Sequence, residues 1–172
     1  MNWILICTFI AFMIFMMYNI TSLISFNNPH SLSMTYYYWK ENSKWKHILF
    51  PIMMVSMAGL LMPAWLTMSA SSPFQFTAFL AASGIIFTGM APAFKSSDLE
   101  NKVHTYSAII AAVFALLWII LVAKTWWIIL IWTVATVFMA FLTNSFKTSY
   151  TYWLEFIAFM STFTTAIMFC LI

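Results

Sequence analysis

Ionisable side chains are scarce in this chain, so their spacing carries most of what can be read about its chemistry. The most polar stretch is Asp98-Leu99-Glu100-Asn101-Lys102-Val103-His104. Glu100 and His104 lie four positions apart and would share a helix face, a spacing that can pair an acid with a base or supply part of a metal site. Two ligands alone make a weak metal signal, so neither a metal nor another cofactor is expected. The structural alternative is a solvated loop in which Asp98 caps the helix that follows. His104 opens a run that stays uncharged down to Lys124. It either anchors that helix in the headgroups or, with a pKa near neutrality, moves a proton or binds a headgroup.

A second chemical candidate is Glu155, which lies inside an apolar run with Lys147, Thr151 and Tyr152 as its nearest sequence neighbours of suitable type. Burying a charge at membrane depth costs on the order of 2.5–3.5 kcal/mol, so this acid calls for a partner, a proton or a snorkelling route to the headgroups. Ser31 and Ser33 supply hydroxyls in the first long connection. The stripe Ser161, Thr162, Thr164 and Thr165 either lines a cavity or bonds back to its own helix.

The elements that carry these groups follow from composition. Hydrophobic residues make up 64% of the chain and charged residues 6%, far below the quarter usual in soluble domains, so the apolar surface must face lipid. A spanning helix takes about 20 apolar residues. By that measure the chain is all-α, a polytopic integral membrane protein with about six transmembrane helices in one bundle and one domain. The spans fall at approximately 3–24, 48–68, 74–94, 103–123, 126–143 and 150–172. Continuous apolar runs, without strand-like alternation, exclude a barrel. The first span reads as a retained anchor, and Asn19-Ile20-Thr21 lies within it, too deep to act as a glycosylation site. Cys7 and Cys170 read as small buried hydrophobes.

Ser71-Ser72-Pro73 and Lys124-Thr125 are tight turns, which make helices two and three, and helices four and five, antiparallel neighbours. Pro51 falls in the first turn of helix two, and Pro63 is expected to kink it. The sequence Gly89-Met90-Ala91-Pro92-Ala93-Phe94 loosens the end of helix three. Ala78, Ala82, Gly84 and Thr88, with Ser107, Ala111 and Ala115, follow small-xxx-small spacing and predict the closest helix pair. In the long connection, Tyr36-Tyr37-Tyr38-Trp39 reads as an interfacial aromatic belt, with a ligand-stacking surface as the alternative.

If six helices alternate, Lys40, Lys44, Lys46, Lys95, Lys102 and Lys147 share one side and only Lys124 lies opposite. The positive-inside rule then makes that side cytoplasmic and puts both termini outside, in an inner (plasma) membrane. A net charge of +3 without any Arg does not suit nucleic acid.

The stretches Pro29-His30-Ser31-Leu32-Ser33, Gly84-Ile85-Ile86-Phe87-Thr88-Gly89-Met90-Ala91-Pro92-Ala93-Phe94 and His104-Thr105-Tyr106-Ser107-Ala108 together resemble the DRAM/Frag/Sfk group of six-helix membrane proteins and related bacterial families. The group typically shows a Pro-x-Ile-Ser-type motif after helix one, a glycine-spaced helix three and a His-x-x-x-Ala start to helix four. Its eukaryotic members are associated with lipid-anchor remodelling and with lysosomal or Golgi membranes, so the resemblance implies lipid handling. The chain departs from the pattern at Leu32, which stands for Ile, and at Met34, which stands for an acid. In such relatives the first loop faces away from the cytoplasm, whereas the lysine count here turns it inward.

Three functions are therefore expected in competition. The leading one is lipid binding or modification at the cytoplasmic interface by a site joining Ser31 and Ser33 to Asp98, Glu100 and His104. The second is a small transporter or proton-coupled channel using Glu155, which requires that acid to face the bundle interior beside a polar path. The third is a structural subunit, bacterial or phage-borne, working by helix packing in a homo-oligomer or with a partner membrane subunit.

Overall fold

The computed structural model describes residues 2–27, 29–145 and 147–171, with the side chain of Asn2 excepted. Every regular element among them is helical: α1 (Asn2–Phe26), α2 (Met34–Asn42), α3 (Leu49–Met68), α4 (Gln75–Met90), α5 (Asp98–Trp118), α6 (Trp126–Leu142) and α7 (Tyr150–Leu171). A 3-10 turn, Lys46–Ile48, leads into α3, and a π-helical segment, Ile119–Ala123, extends α5. The expected end of the last span at Ile172 lies outside the described residues.

Among the described residues, four helices are long and apolar enough to cross a membrane: Trp3–Phe26, Lys46–Met68, Asp98–Ala123 and Tyr150–Leu171. The apolar α4 and α6 are shorter, at 16 and 17 residues. Isoleucine, phenylalanine and leucine dominate the outward faces, as at Ile24, Phe87, Leu154 and Phe138, all exposed in the isolated chain. The inward faces gather Phe15, Phe50, Met57, Trp65, Trp118 and Phe163, each at most 1% exposed.

Helix α4 packs most extensively against α5. Gly84 explains the close approach: a Cβ built there would stand 2.7 Å from both the amide nitrogen of Ala111 and the carbonyl oxygen of Ser107, so only glycine lets the two backbones meet. Thr88 and Ser107 then bond across the same seam at 2.9 Å. Gly89 does the same toward α3, where an added Cβ would stand 2.6 Å from Cβ of Met54. Helix α3 continues without interruption through Pro63.

The expectation that α5 and α6 would be close neighbours is not met. Instead α6 packs on α7, because Trp132 donates its indole N–H to Thr164 at 2.9 Å and Thr125 donates to Thr165 at 3.2 Å. Two members of the expected hydroxyl stripe are thus taken up by a neighbouring element, while Thr162 bonds back to Ala158. The π segment and a left-handed Lys124 (φ 57°) carry the chain from α5 over to this position.

At one end of the bundle the connections after α1, α4 and α6 meet. Tyr37 accepts from the Lys95 N–H at 2.5 Å, its ring packs edge-on to Phe94, and His30 faces Tyr150. The opposite end holds the turns after α3 and α5, joined where Trp118 donates to Ser69 at 2.8 Å.

Candidate functional site

Helix α2 forms within the long connection because Ser31 captures its first turn: the Ser31 hydroxyl accepts from the Met34 N–H at 3.1 Å and lies 3.1 Å from the Ser33 hydroxyl. That turn exposes the Leu32 N–H, one residue before the N-cap Ser33. Glu155, in the second turn of α7, accepts this N–H through Oε2 at 2.7 Å. The carboxylate thereby sits at the N-terminal end of α2, where the partial positive charge of a helix favours an anion. The local partners expected for Glu155, Lys147, Thr151 and Tyr152, do not take that oxygen.

The same turn is tied to α1 and α7. Thr35 donates to the Leu32 carbonyl at 2.5 Å and bonds the Tyr18 hydroxyl. Tyr152 donates its hydroxyl to Asn19 at 3.1 Å and its backbone N–H to the His30 carbonyl at 3.1 Å, which satisfies one of the free N–H groups at the start of α7. Tyr18, Asn19, Thr35 and Tyr152 were not singled out as site residues from the sequence. Asn19, an amide within an apolar run and 1% exposed, carried the signal that polar groups at membrane depth seek partners.

A cavity of about 80 Å³ opens beside this turn. Glu155, Ser33, Thr88 and Thr162 contribute polar side chains to its wall, Trp65 adds an indole whose N–H has no partner among the described residues, and the rest is apolar. Ala108, Ala111, Ala112 and Ala115 of α5 face Ala158, Phe159 and Phe163 of α7 across it. Ala108, Ala112 and Ala158 are partly exposed, so the cavity reaches the outer surface between α5 and α7. Alanine on α5 makes the room: four small side chains stand where leucines would close the gap.

Of the expected grouping, Ser33 lines the cavity together with Thr88, whose carbonyl His104 bonds, while Asp98 and Glu100 make their contacts around the first turn of α5. Helix α5 begins at Asp98, five residues earlier than the expected 103, and Ser97 rather than Asp98 is its N-cap, accepting from the Glu100 N–H at 3.2 Å. Asp98 pairs with Lys102 at 2.6 Å on the exposed surface, and Glu100 accepts from the Ser96 hydroxyl. Both acids suit a first turn through the helix dipole.

His104 is 7% exposed and turned away from Glu100. Its Nδ1 lies 3.2 Å from the Thr88 carbonyl and 3.0 Å from that of Ala91, and its ring stacks on Phe94 at 4.5 Å. The reason is Pro92. In a continuing helix the Thr88 carbonyl would receive the N–H of residue 92, and proline has none. Nδ1–H of His104 supplies the missing donor, so the imidazole closes α4 instead of anchoring in headgroups. Among the described residues, no hydrogen bond joins Ser31 or Ser33 to His104 or Glu155, and no group of three His, Cys, Asp or Glu stands close enough to hold a metal ion.

Compared with known protein families, curated proteins and solved structures, the chain matches none of them. Functional assignment therefore rests on the cavity and its lining.

Proposed function

We propose that this chain is a six-span membrane protein that binds an amphiphile, its apolar part between α5 and α7 and its headgroup against Glu155 and Ser33. One observation carries the reading: a single carboxylate, with three hydroxyls, stands on the wall of a mostly apolar, alanine-rich cavity that opens sideways. An acceptor in that position selects a headgroup bearing hydrogen-bond donors, amine or hydroxyl, because an anion would meet like charge. An apolar cavity with few convergent polar groups is the usual form of a small-molecule site; at about 80 Å³ it takes only the part of the amphiphile's chain next to the headgroup, the rest lying along the outer surface between α5 and α7. The transporter reading needs a continuous polar path beyond Glu155, and the predominance of alanine, phenylalanine and methionine over the hydroxyls of Thr88 and Thr162 in the cavity lining favours the amphiphile.

Six spans follow if α4 and α6 cross as well. At 1.5 Å per residue their 16 and 17 residues are shorter than a typical hydrocarbon core, and they cross where neighbours and local thinning accommodate the mismatch. The lysine-rich end is then cytoplasmic in a bacterial inner membrane, with both termini opposite. Glu155 lies about 8 Å along α7 from that end, which suits a headgroup held at the interface. Lipid handling is also what the resemblance to the DRAM/Frag/Sfk group implies.

Native mass spectrometry of the protein extracted from its membrane tests this reading. One amphiphile with a donor-bearing headgroup is expected at this site per chain, lost in Ala112→Phe, which fills the cavity, and weakened in Glu155→Gln. Equal, non-selective lipid retention by all three proteins would contradict it.

A further inference from the structure

We propose a second lipid site: the groove between α1 and α3, roofed by α2, holds one acyl chain of an anionic phospholipid whose phosphate rests between Lys46 and the indole N–H of Trp39. The groove is a shallow, open one of about 290 Å³, lined by Ile14, Met17, Tyr18, Ile52 and Met53 and by Trp39 of α2. It shares no lining residue with the Glu155 cavity.

Two observations fix the chemistry of the headgroup. Trp39 is 5% exposed, and its Nε1–H is buried without a hydrogen-bond partner among the described residues. An unused buried donor is costly to a fold unless something outside the chain accepts from it. Lys46 Nζ stands 5.0 Å over the same indole ring, so a cation and a free donor lie together where the groove meets the interface. An oxyanion takes both.

The charges around that point agree. Residues 40 to 47 hold Lys40, Lys44 and Lys46 against one acid, Glu41, with Lys40 over the Tyr36 ring at 5.9 Å. His47, edge-on to Tyr36, has a buried Nδ1 that is likewise unpartnered among the described residues. A phosphate drawn into the head of the groove beside Trp39, above its apolar walls, fits a phospholipid of the anionic cytoplasmic leaflet, where each lysine near the surface contributes about 1 kcal/mol. A free phosphate has no use for the groove.

The experiment is native mass spectrometry of the full chain released from nanodiscs containing equal phosphatidylglycerol and phosphatidylcholine. Wild type is expected to retain one phosphatidylglycerol in preference to phosphatidylcholine. Lys46→Gln should weaken that preference about fivefold, the equivalent of about 1 kcal/mol. Trp39→Phe, which keeps the ring and removes the N–H, should weaken it as well, and Ile52→Trp should abolish retention by filling the groove with the lysines intact. Each comparison is repeated in an Ala112→Phe background, which fills the Glu155 cavity, so that only the lipid in the α1–α3 groove is counted. No headgroup preference in wild type, a preference that survives both Lys46→Gln and Ile52→Trp, or displacement of the lipid by inorganic phosphate alone would each overturn the proposal.

Discussion

Glu155 on α7 accepts a hydrogen bond from the backbone N–H of Leu32, 123 residues earlier in the chain, at 2.7 Å. This contact fastens the first long connection to the last helix and holds the carboxylate on the wall of the cavity. It separates two roles that a single substitution would otherwise confuse.

Glu155→Gln keeps an acceptor for Leu32 and removes the charge, so thermal unfolding in detergent should change little while amphiphile retention falls. Glu155→Leu leaves the Leu32 N–H unpaired and should cost about 1–3 kcal/mol, read as a lower unfolding temperature by circular dichroism. If Gln and Leu destabilise equally, the hydrogen bond is not what the carboxylate contributes to the fold.

Thr88 and His104 form a second separable pair. His104→Ala should cost about 1–3 kcal/mol by stranding the Thr88 and Ala91 carbonyls. In a Pro92→Ala background, where residue 92 regains an N–H, the same change should cost less. A double-mutant cycle measures the coupling, and strict additivity would contradict the helix-closing role.

Two glycines should respond in opposite directions. Gly84→Ala forces a Cβ into the backbone of α5 at 2.7 Å and should destabilise by about 1–3 kcal/mol. Gly59→Ala, with nothing within 4 Å of the new carbon, should stabilise α3 by about 0.5–1 kcal/mol. Chemical denaturation of both variants in one detergent provides the comparison.

Alkaline pH should loosen the α2 contact with the α4–α5 connection. Burial raises the Tyr37 phenol above its ordinary pKa, partly offset by the N–H it accepts from Lys95. The neutral phenol is therefore the folded form: its contribution is complete below pH 10 and is lost as pH rises through the raised folded value. Tyr37→Phe should flatten that part of the alkaline unfolding curve, and an unchanged curve would count against this contact.

Much of the bundle was legible because apolar run length and small-residue spacing are local. The close α4–α5 seam at Gly84 follows from such patterns, as does the loosened end of α4, which comes at Met90 and not at the expected 94. The site was harder. Glu155 stood out as an acid in an apolar run, but its partner is a backbone N–H far away in sequence, and backbone groups leave no compositional trace. His104 drew attention as a polar residue at a helix start, while its task was written in Pro92, four residues after the carbonyl it satisfies. The α5–α6 neighbourhood was misjudged because a tight turn suggests pairing, whereas the π segment and the Trp132–Thr164 bond carry α6 onto α7.

The central claim, an amphiphile seated between α5 and α7, is tested most directly by photo-crosslinking. Benzoylphenylalanine in place of Phe159, which lines the cavity, is compared with the same group at Val134, 71% exposed on α6. The account predicts that position 159 labels one amphiphile class bearing donor headgroups, and that Ala112→Phe abolishes the adduct. Bulk lipids labelled in the same proportions at both positions, or no lipid adduct at position 159, would contradict it.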